Sequence, residues 1–278
     1  MKQQDGFFSN QENQSIYYQT WLPDESARAV LLIAHGLNEH CGRYQHLAEY
    51  FVKEGYAIFG FDYPGHGKSE GTRSYVKDFS EFTETLLIYI EKIKEWQPNL
   101  PIFIVGHSMG GLVGAHLLID HPDQVAGAIL SGSLILVPDN ISPLTITIGK
   151  IISTILPKLG LAAIDSSGLS RDPNIVQAYI ADPLVFTGKV TTNLSIKMNQ
   201  AMDRVVTDGS KINLPLLLLH GKADYLVDPV STQFLYDLVS SENKKIIYYE
   251  GFYHEIYNEP EHEQVFEDVS SWLNKQLT

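Results

Sequence analysis

The sequence predicts an α/β fold, a mostly parallel central sheet flanked by helices with a helical insertion, and three observations lead to it. Short apolar runs alternate with longer amphipathic segments. The runs lack apolar–polar alternation, as strands covered on both faces do. One long stretch near the middle breaks the rhythm and sits between two such runs.

Taken in order, residues 5–10 and 15–21 read as an antiparallel hairpin, with Tyr17 and Tyr18 supplying strand propensity. Residues 29–34, all apolar, form the first buried strand, and 43–53 the first helix. A strand at 56–61 precedes a helix whose Phe82, Leu86, Ile90, Ile93 and Trp96 recur at helical spacing as a core-facing stripe. Strand 102–105, helix 112–120 and strand 126–131 follow. The rhythm resumes with a strand at 216–219, a helix at 230–240, a strand at 245–249 and a closing helix at 264–275.

Between these blocks, 138–208 offers helix-like pieces separated by Pro and Gly and no clear strand. It reads as a lid or cap inserted into a core made of 1–137 and 209–278. Residues 144–152 are more apolar than an exposed helix should be. Packing on the sheet below is favoured over an exposed patch that meets membrane or lipid aggregates.

The composition, 44% hydrophobic and 19% charged, is that of an ordinary globular protein. A net charge of −13 repels phosphate backbones, which argues against nucleic acid and favours neutral substrates. Cys41 is the single cysteine, so no intrachain disulfide forms. The polar stretch 1–14 has no signal-peptide core, and Lys150, Pro157 and Lys158 interrupt the greasiest segment. The expectation is a cytoplasmic protein, with peripheral lipid contact if the cap's apolar stretch is exposed. His35, His40 and His46 have no evident ligand partners, so neither metal nor cofactor is expected.

The chemistry centres on Gly106-His107-Ser108-Met109-Gly110, which lies after a strand and before a helix. That context is the nucleophile elbow: a strained turn lifts the Ser108 hydroxyl to a helix N-terminus, where backbone N–H groups favour negative charge. Ser108 needs a base, and His254 lies just past the last strand. The orienting carboxylate should follow strand 216–219, where Asp224 and Asp228 compete. Asp224 occupies the tight loop, whereas Asp228 before Pro229 reads as a helix cap. The order Ser108, Asp224, His254 is that of α/β-hydrolases. Oxyanion donors are expected from the N–H groups of Met109 and, after strand 29–34, Leu37.

These residues also resemble a family. His35-Gly36-Leu37-Asn38-Glu39-His40 with Arg43-Tyr44, Phe61-Asp62-Tyr63-Pro64-Gly65-His66-Gly67-Lys68-Ser69 and Gly106-His107-Ser108-Met109-Gly110-Gly111 look like monoacylglycerol lipases. So do Asp165-Ser166-Ser167, Leu169-Ser170-Arg171, Tyr179 before Asp182-Pro183-Leu184, and Glu250-Gly251 with His254-Glu255. Bacterial lysophospholipases share many of these features. The resemblance implies a serine esterase that releases fatty acid and glycerol through Ser108, Asp224 and His254, with an apolar acyl tunnel under the cap. It also implies glycerol contacts from Glu39, Arg43 and Tyr179, although Glu39 and Arg43 could equally brace their loop as an ion pair. A lysophospholipase or broad carboxylesterase is the alternative, ahead of a non-catalytic binding relative. Asn38 stands where many relatives have Gly, and suits a position of positive φ. Cys41 reads as an inert small residue or as a thiol open to maleimides.

Overall fold

In the computed structural model, which describes residues 1–137 and 143–277, eight strands form one sheet. They are β1 (Lys2–Ser9), β2 (Ser15–Leu22), β3 (Val30–Ala34), β4 (Ala57–Phe61), β5 (Ile102–His107), β6 (Gly127–Ser131), β7 (Leu216–Gly221) and β8 (Lys244–Tyr249). Their spatial order is β1-β2-β4-β3-β5-β6-β7-β8. The β1–β2 and β2–β4 pairs are antiparallel and all later pairs parallel. The expected parallel sheet with an N-terminal hairpin at its edge is therefore present.

The continuous apolar runs follow from covering both faces. Val30 and Leu32 enter one hydrophobic layer while Leu31 and Ile33 enter the other, and Ile102 and Ile104 are likewise separated from Phe103 and Val105. Each such side chain, fully removed from water, stabilises the fold by about 1.5–3 kcal/mol before entropy is counted.

Helices α1 (Gln45–Lys53), α2 (Ser80–Trp96), α3 (Met109–Asp120), α4 (Pro143–Ile155), α5 (Pro173–Ala181), α6 (Thr192–Asp208), α7 (Val230–Leu238) and α8 (His262–Gln276) complete the chain. Residues Phe82, Leu86, Ile90 and Ile93 of α2 are buried as their spacing predicts. Trp96 departs from the stripe: it is 42% exposed at the helix end, its ring stacked on Phe59 of β4 and tilted against Tyr18 of β2.

Helices α4, α5 and α6 lie between β6 and β7 in the chain. The expected start of the insertion, Pro138, lies outside the described residues. The favoured packing of 144–152 on the sheet is corrected by the structure. Leu144, Ile148, Ile151 and Ile155 share one face of α4 and are 48–71% exposed, while Ile146 and Gly149 face inward onto a cavity shared with α6. Apolar composition alone does not say which side of a helix meets protein. Among the described residues no helix is long and apolar enough to cross a membrane.

Candidate active site

The C-terminal ends of β3, β5, β7 and β8 converge on one cavity. After β5 the chain turns sharply: Ser108 has φ +52°, donates its N–H to the Ser131 carbonyl at 2.9 Å, and hands over to α3. A non-glycine φ in this region is strained and needs support from its surroundings. Here the support is close packing. A Cβ on Gly106 would lie 2.8 Å from the Gly110 carbonyl oxygen, and one on Gly110 would collide with the carbonyl of Ala34.

His254 follows β8 and is buried. Its Nδ1 donates to Asp224 Oδ2 at 2.7 Å, which leaves Nε2 as the acceptor nitrogen. Gly132, at φ +52°, leaves room for the ring, because a Cβ there would approach His254 Nδ1 to 3.1 Å. Asp224 follows β7, and its Oδ1 accepts the N–H groups of Leu226 and Val227 at 2.9 and 3.0 Å. Asp228, the rival carboxylate, accepts the N–H of Val230 at 2.9 Å, at the start of α7.

Burial alone would raise the Asp224 carboxyl. The His254 charge and hydrogen bonds from His220, His254 and Val227 outweigh it and hold Asp224 well below the usual carboxylate range. For His254, burial disfavours the cation. The Asp224 charge and hydrogen bond, then Glu255 and Glu39, reverse that and raise it above the ordinary 6.5. Burial, aided by the charge on His254, pushes His107 down to about 3, so this ring stays neutral beside His254, their centroids 4.6 Å apart.

The loop after β3 is tied from behind. Glu39 Oε1 accepts the Gly36 N–H at 2.6 Å and the Tyr44 hydroxyl at 2.8 Å. Arg43 donates to Glu39 at 2.6 Å and makes a two-pronged contact with Glu255 at 2.6 and 2.7 Å. Tyr179 of α5 lies with its ring 4.8 Å from the Arg43 guanidinium carbon. Asn38 adopts φ +62°, as a residue replacing glycine there must, and its carbonyl accepts the Phe186 N–H at 2.9 Å. Cys41 is fully buried beneath this loop, and burial and Asp62 push its thiol up, which fits the inert reading.

A cavity of about 290 Å³ is lined by Ser108 and His254 together with Leu37, Glu39 and Tyr179. Of the other residues singled out from the sequence, Arg43 stands behind Glu39 rather than in the lining. Met109 is buried, but as first residue of α3 it carries one of the N–H groups that the helix itself leaves unpaired. A second, largely apolar cavity of about 490 Å³ lies between α4 and α6. The two share Leu134, Ala163 and Ile164 as common wall.

The sequence singles out Leu169-Ser170-Arg171 as a motif, but not that this segment grips the histidine loop. The His254 N–H donates to the Gly168 carbonyl at 3.3 Å, and the Glu255 N–H to Leu169 at 2.8 Å. Arg171 Nε donates to the fully buried Glu259 at 2.8 Å, and Glu259 in turn accepts the Tyr253 N–H at 2.8 Å. No spacing rule links residues this far apart in sequence; the signal available was the Leu169-Ser170-Arg171 motif itself, which names no partner.

Comparison with known proteins agrees with this architecture. Residues 25–261 match the family model described as serine aminopeptidase, S33. The chain is 35% identical over 265 residues to a monoacylglycerol lipase of Mycolicibacterium smegmatis, covering 94% of each chain. It is 30% identical over 265 residues to the phospholipase YtpA of Bacillus subtilis, covering 93% of this chain and 99% of that one. The crystal structure of Paleococcus ferrophilus monoacylglycerol lipase superposes with a TM-score of 0.85 at 30% identity, over 94% of this chain and 99% of that one.

Proposed function

The chain belongs to the monoacylglycerol lipase family of α/β-hydrolases, and from that premise we propose that it cleaves monoacylglycerols to fatty acid and glycerol through an acyl-enzyme on Ser108. The observation that carries the reading is the junction of two cavities. A chamber that holds Ser108 and His254, with Glu39, Asp165 and Glu255 among otherwise mostly apolar walls, adjoins an apolar one large enough for an acyl chain, with Leu134, Ala163 and Ile164 between them.

Ser108 Oγ attacks the ester carbonyl while His254 Nε2 takes its proton, and Asp224 holds the imidazole tautomer and stabilises its cation. The N–H groups of Leu37 and Met109 receive the developing oxyanion. His254 then protonates the leaving glycerol oxygen. A water that it deprotonates attacks the acyl-enzyme and frees the fatty acid. Glu39 and Tyr179 meet the glycerol end. Arg43, saturated by Glu39 and Glu255, acts from behind by holding them in place.

Residues 138–208 serve as the cap, with α4 and α6 roofing the acyl chamber. The exposed Leu144, Ile148, Ile151 and Ile155 touch lipid surfaces, from which the substrate enters. One buried cysteine suits a reducing, cytoplasmic setting for a protein that visits membranes peripherally.

Phospholipid hydrolysis is the second reading, motivated by the phospholipase relative. Against it, no Lys or Arg lines the chamber among the described residues, and acidic Glu39, Asp165 and Glu255 do. Rates on monoacylglycerol, diacylglycerol, lysophosphatidylcholine and an amino-terminal peptide amide decide among these. Monoacylglycerol should lead, and a Ser108→Ala variant should lose both hydrolysis and fluorophosphonate labelling. Faster cleavage of lysophosphatidylcholine would refute the glycerolipid assignment.

A further inference from the structure

A second histidine shares the carboxylate that orients His254. His220, the fifth residue of β7, is fully buried and takes no direct part in the chemistry above. Its Nε2 lies 3.0 Å from Asp224 Oδ2 and 3.0 Å from the Val227 carbonyl oxygen, two groups that only accept. Nε2 must therefore carry a proton and divide it between them. On the other side of the ring, Nδ1 lies 2.5 Å from the Thr232 hydroxyl of α7, which donates to it when the ring is neutral. A strand and a helix thus fix the position and tautomer of a ring aimed at the oxygen that also receives His254.

We infer that His220 is a positioning residue for ester hydrolysis that acts through Asp224: it occupies part of the hydrogen-bonding capacity of Oδ2 and so limits how strongly that oxygen holds His254. The inference rests on Ser108, Asp224 and His254 acting as described above. Asp224 has four donors: Leu226 and Val227 N–H on Oδ1, His220 and His254 on Oδ2. With Oδ1 anchored by backbone, loss of His220 leaves the carboxylate in place but concentrates its charge on His254. The imidazolium is then favoured and the base is harder to free. The other charged groups facing His254 are Glu255 and Glu39, with Arg43 between them, and the neutral His107 packs beside it. None of these contacts His220, so their contribution stays constant when His220 is replaced.

The experiment is the pH dependence of kcat/KM on a water-soluble short-chain ester for wild type, His220→Leu and His220→Gln, with Ser108→Ala as control and thermal unfolding of each. In folded His220→Leu the acid limb should move up by about one pH unit, a tenfold change in proton concentration. His220→Gln retains an N–H donor and should return the limb most of the way. If His220 merely packs, His220→Leu lowers the unfolding temperature and leaves the limb where it was, and the inference is overturned. Should His220→Leu not fold, His220→Met takes its place, since its flexible side chain fills the site and supplies no N–H to Asp224. The limb then moves in the same direction, or the inference fails. Ester hydrolysis retained by Ser108→Ala would instead reject the serine-hydrolase reading, and the role of His220 with it. An inactive Ser108→Ala beside an unmoved limb rejects the role of His220 alone.

Discussion

Glu39 accepts the backbone N–H of Gly36 at 2.6 Å, so a carboxylate at one end of the β3 loop fixes the peptide at the other, next to Leu37. The same carboxylate takes the Tyr44 hydroxyl and the Arg43 guanidinium, leaving it little freedom. The loop geometry and the wall of the Ser108 cavity therefore share one side chain.

Replacing Glu39 with Ala should lower kcat by about 10²-fold, the scale of a displaced oxyanion donor, with a smaller change in KM. Glu39→Gln keeps acceptors for Gly36 and should retain more activity. Steady-state kinetics on both variants provide the check, and equal losses would mean that charge rather than loop geometry matters.

The elbow tolerates no added carbon at Gly110, where a Cβ would enter the Ala34 carbonyl. Gly110→Ala should cost more than about 4 kcal/mol, the range of exceptional single substitutions. Denaturant unfolding, or failure to obtain soluble protein, reads this out.

Activity should fall on the acid side with a limb above 6.5. The sign follows from His254: its environment favours the cation, so the free base that Ser108 needs appears only at higher pH. His107, at about 3, is neutral throughout and adds no limb. Asp224→Asn should remove the support and reduce kcat by about 10⁴-fold. A wild-type profile flat down to pH 5 would contradict the assignment of His254 as base.

The chambers meet at Ala163, which lines both. Ala163→Phe should narrow that junction, depressing turnover of long-chain monoacylglycerols at least tenfold relative to butyrate esters, since overpacking is poorly relieved. Acyl-chain profiles of variant and wild type make the comparison.

Ile151→Ser with Ile155→Ser alters two side chains that are 59% and 71% exposed. Stability should change by less than about 1 kcal/mol, as surface substitutions do. Hydrolysis of vesicle-borne monoacylglycerol should drop several-fold while that of soluble esters is unchanged. Equal rates on vesicles would remove the lipid-contact role from α4.

The sheet was legible because burial on both faces writes itself as unbroken apolar runs: Leu216 to Leu219 allow no other comfortable setting. Ser108, Asp224 and His254 were findable from their places after β5, β7 and β8, where a parallel sheet gathers loop residues at one edge. The exposure of Ile151 and Ile155 was not legible, because composition reports how apolar a helix is and not what covers it. Trp96 matched the spacing of a core stripe, yet it is the last residue of α2, where the ring covers Phe59 on one side and meets water on the other. His220 directly follows the apolar run 216–219, and nothing in the sequence marks it out. Its significance depends on the distance from Nε2 to Asp224, and the loop that sets that distance has no period to read.

The hydrogen bonds that the His254 and Glu255 N–H groups donate to the Gly168 and Leu169 carbonyls divide the insertion between β6 and β7 into two parts with different interchangeability. A chimera that takes only residues 143–161 from a relative exchanges α4 and keeps the bonds that seat the histidine; it should retain fluorophosphonate labelling while its acyl-chain profile changes. One that takes the whole of 138–208 also replaces Arg171, whose partner Glu259 stays behind in the core. Redesign of substrate range thus has a natural splice point near Gly160, where the chain pairs with Thr191 before it reaches the catalytic loop.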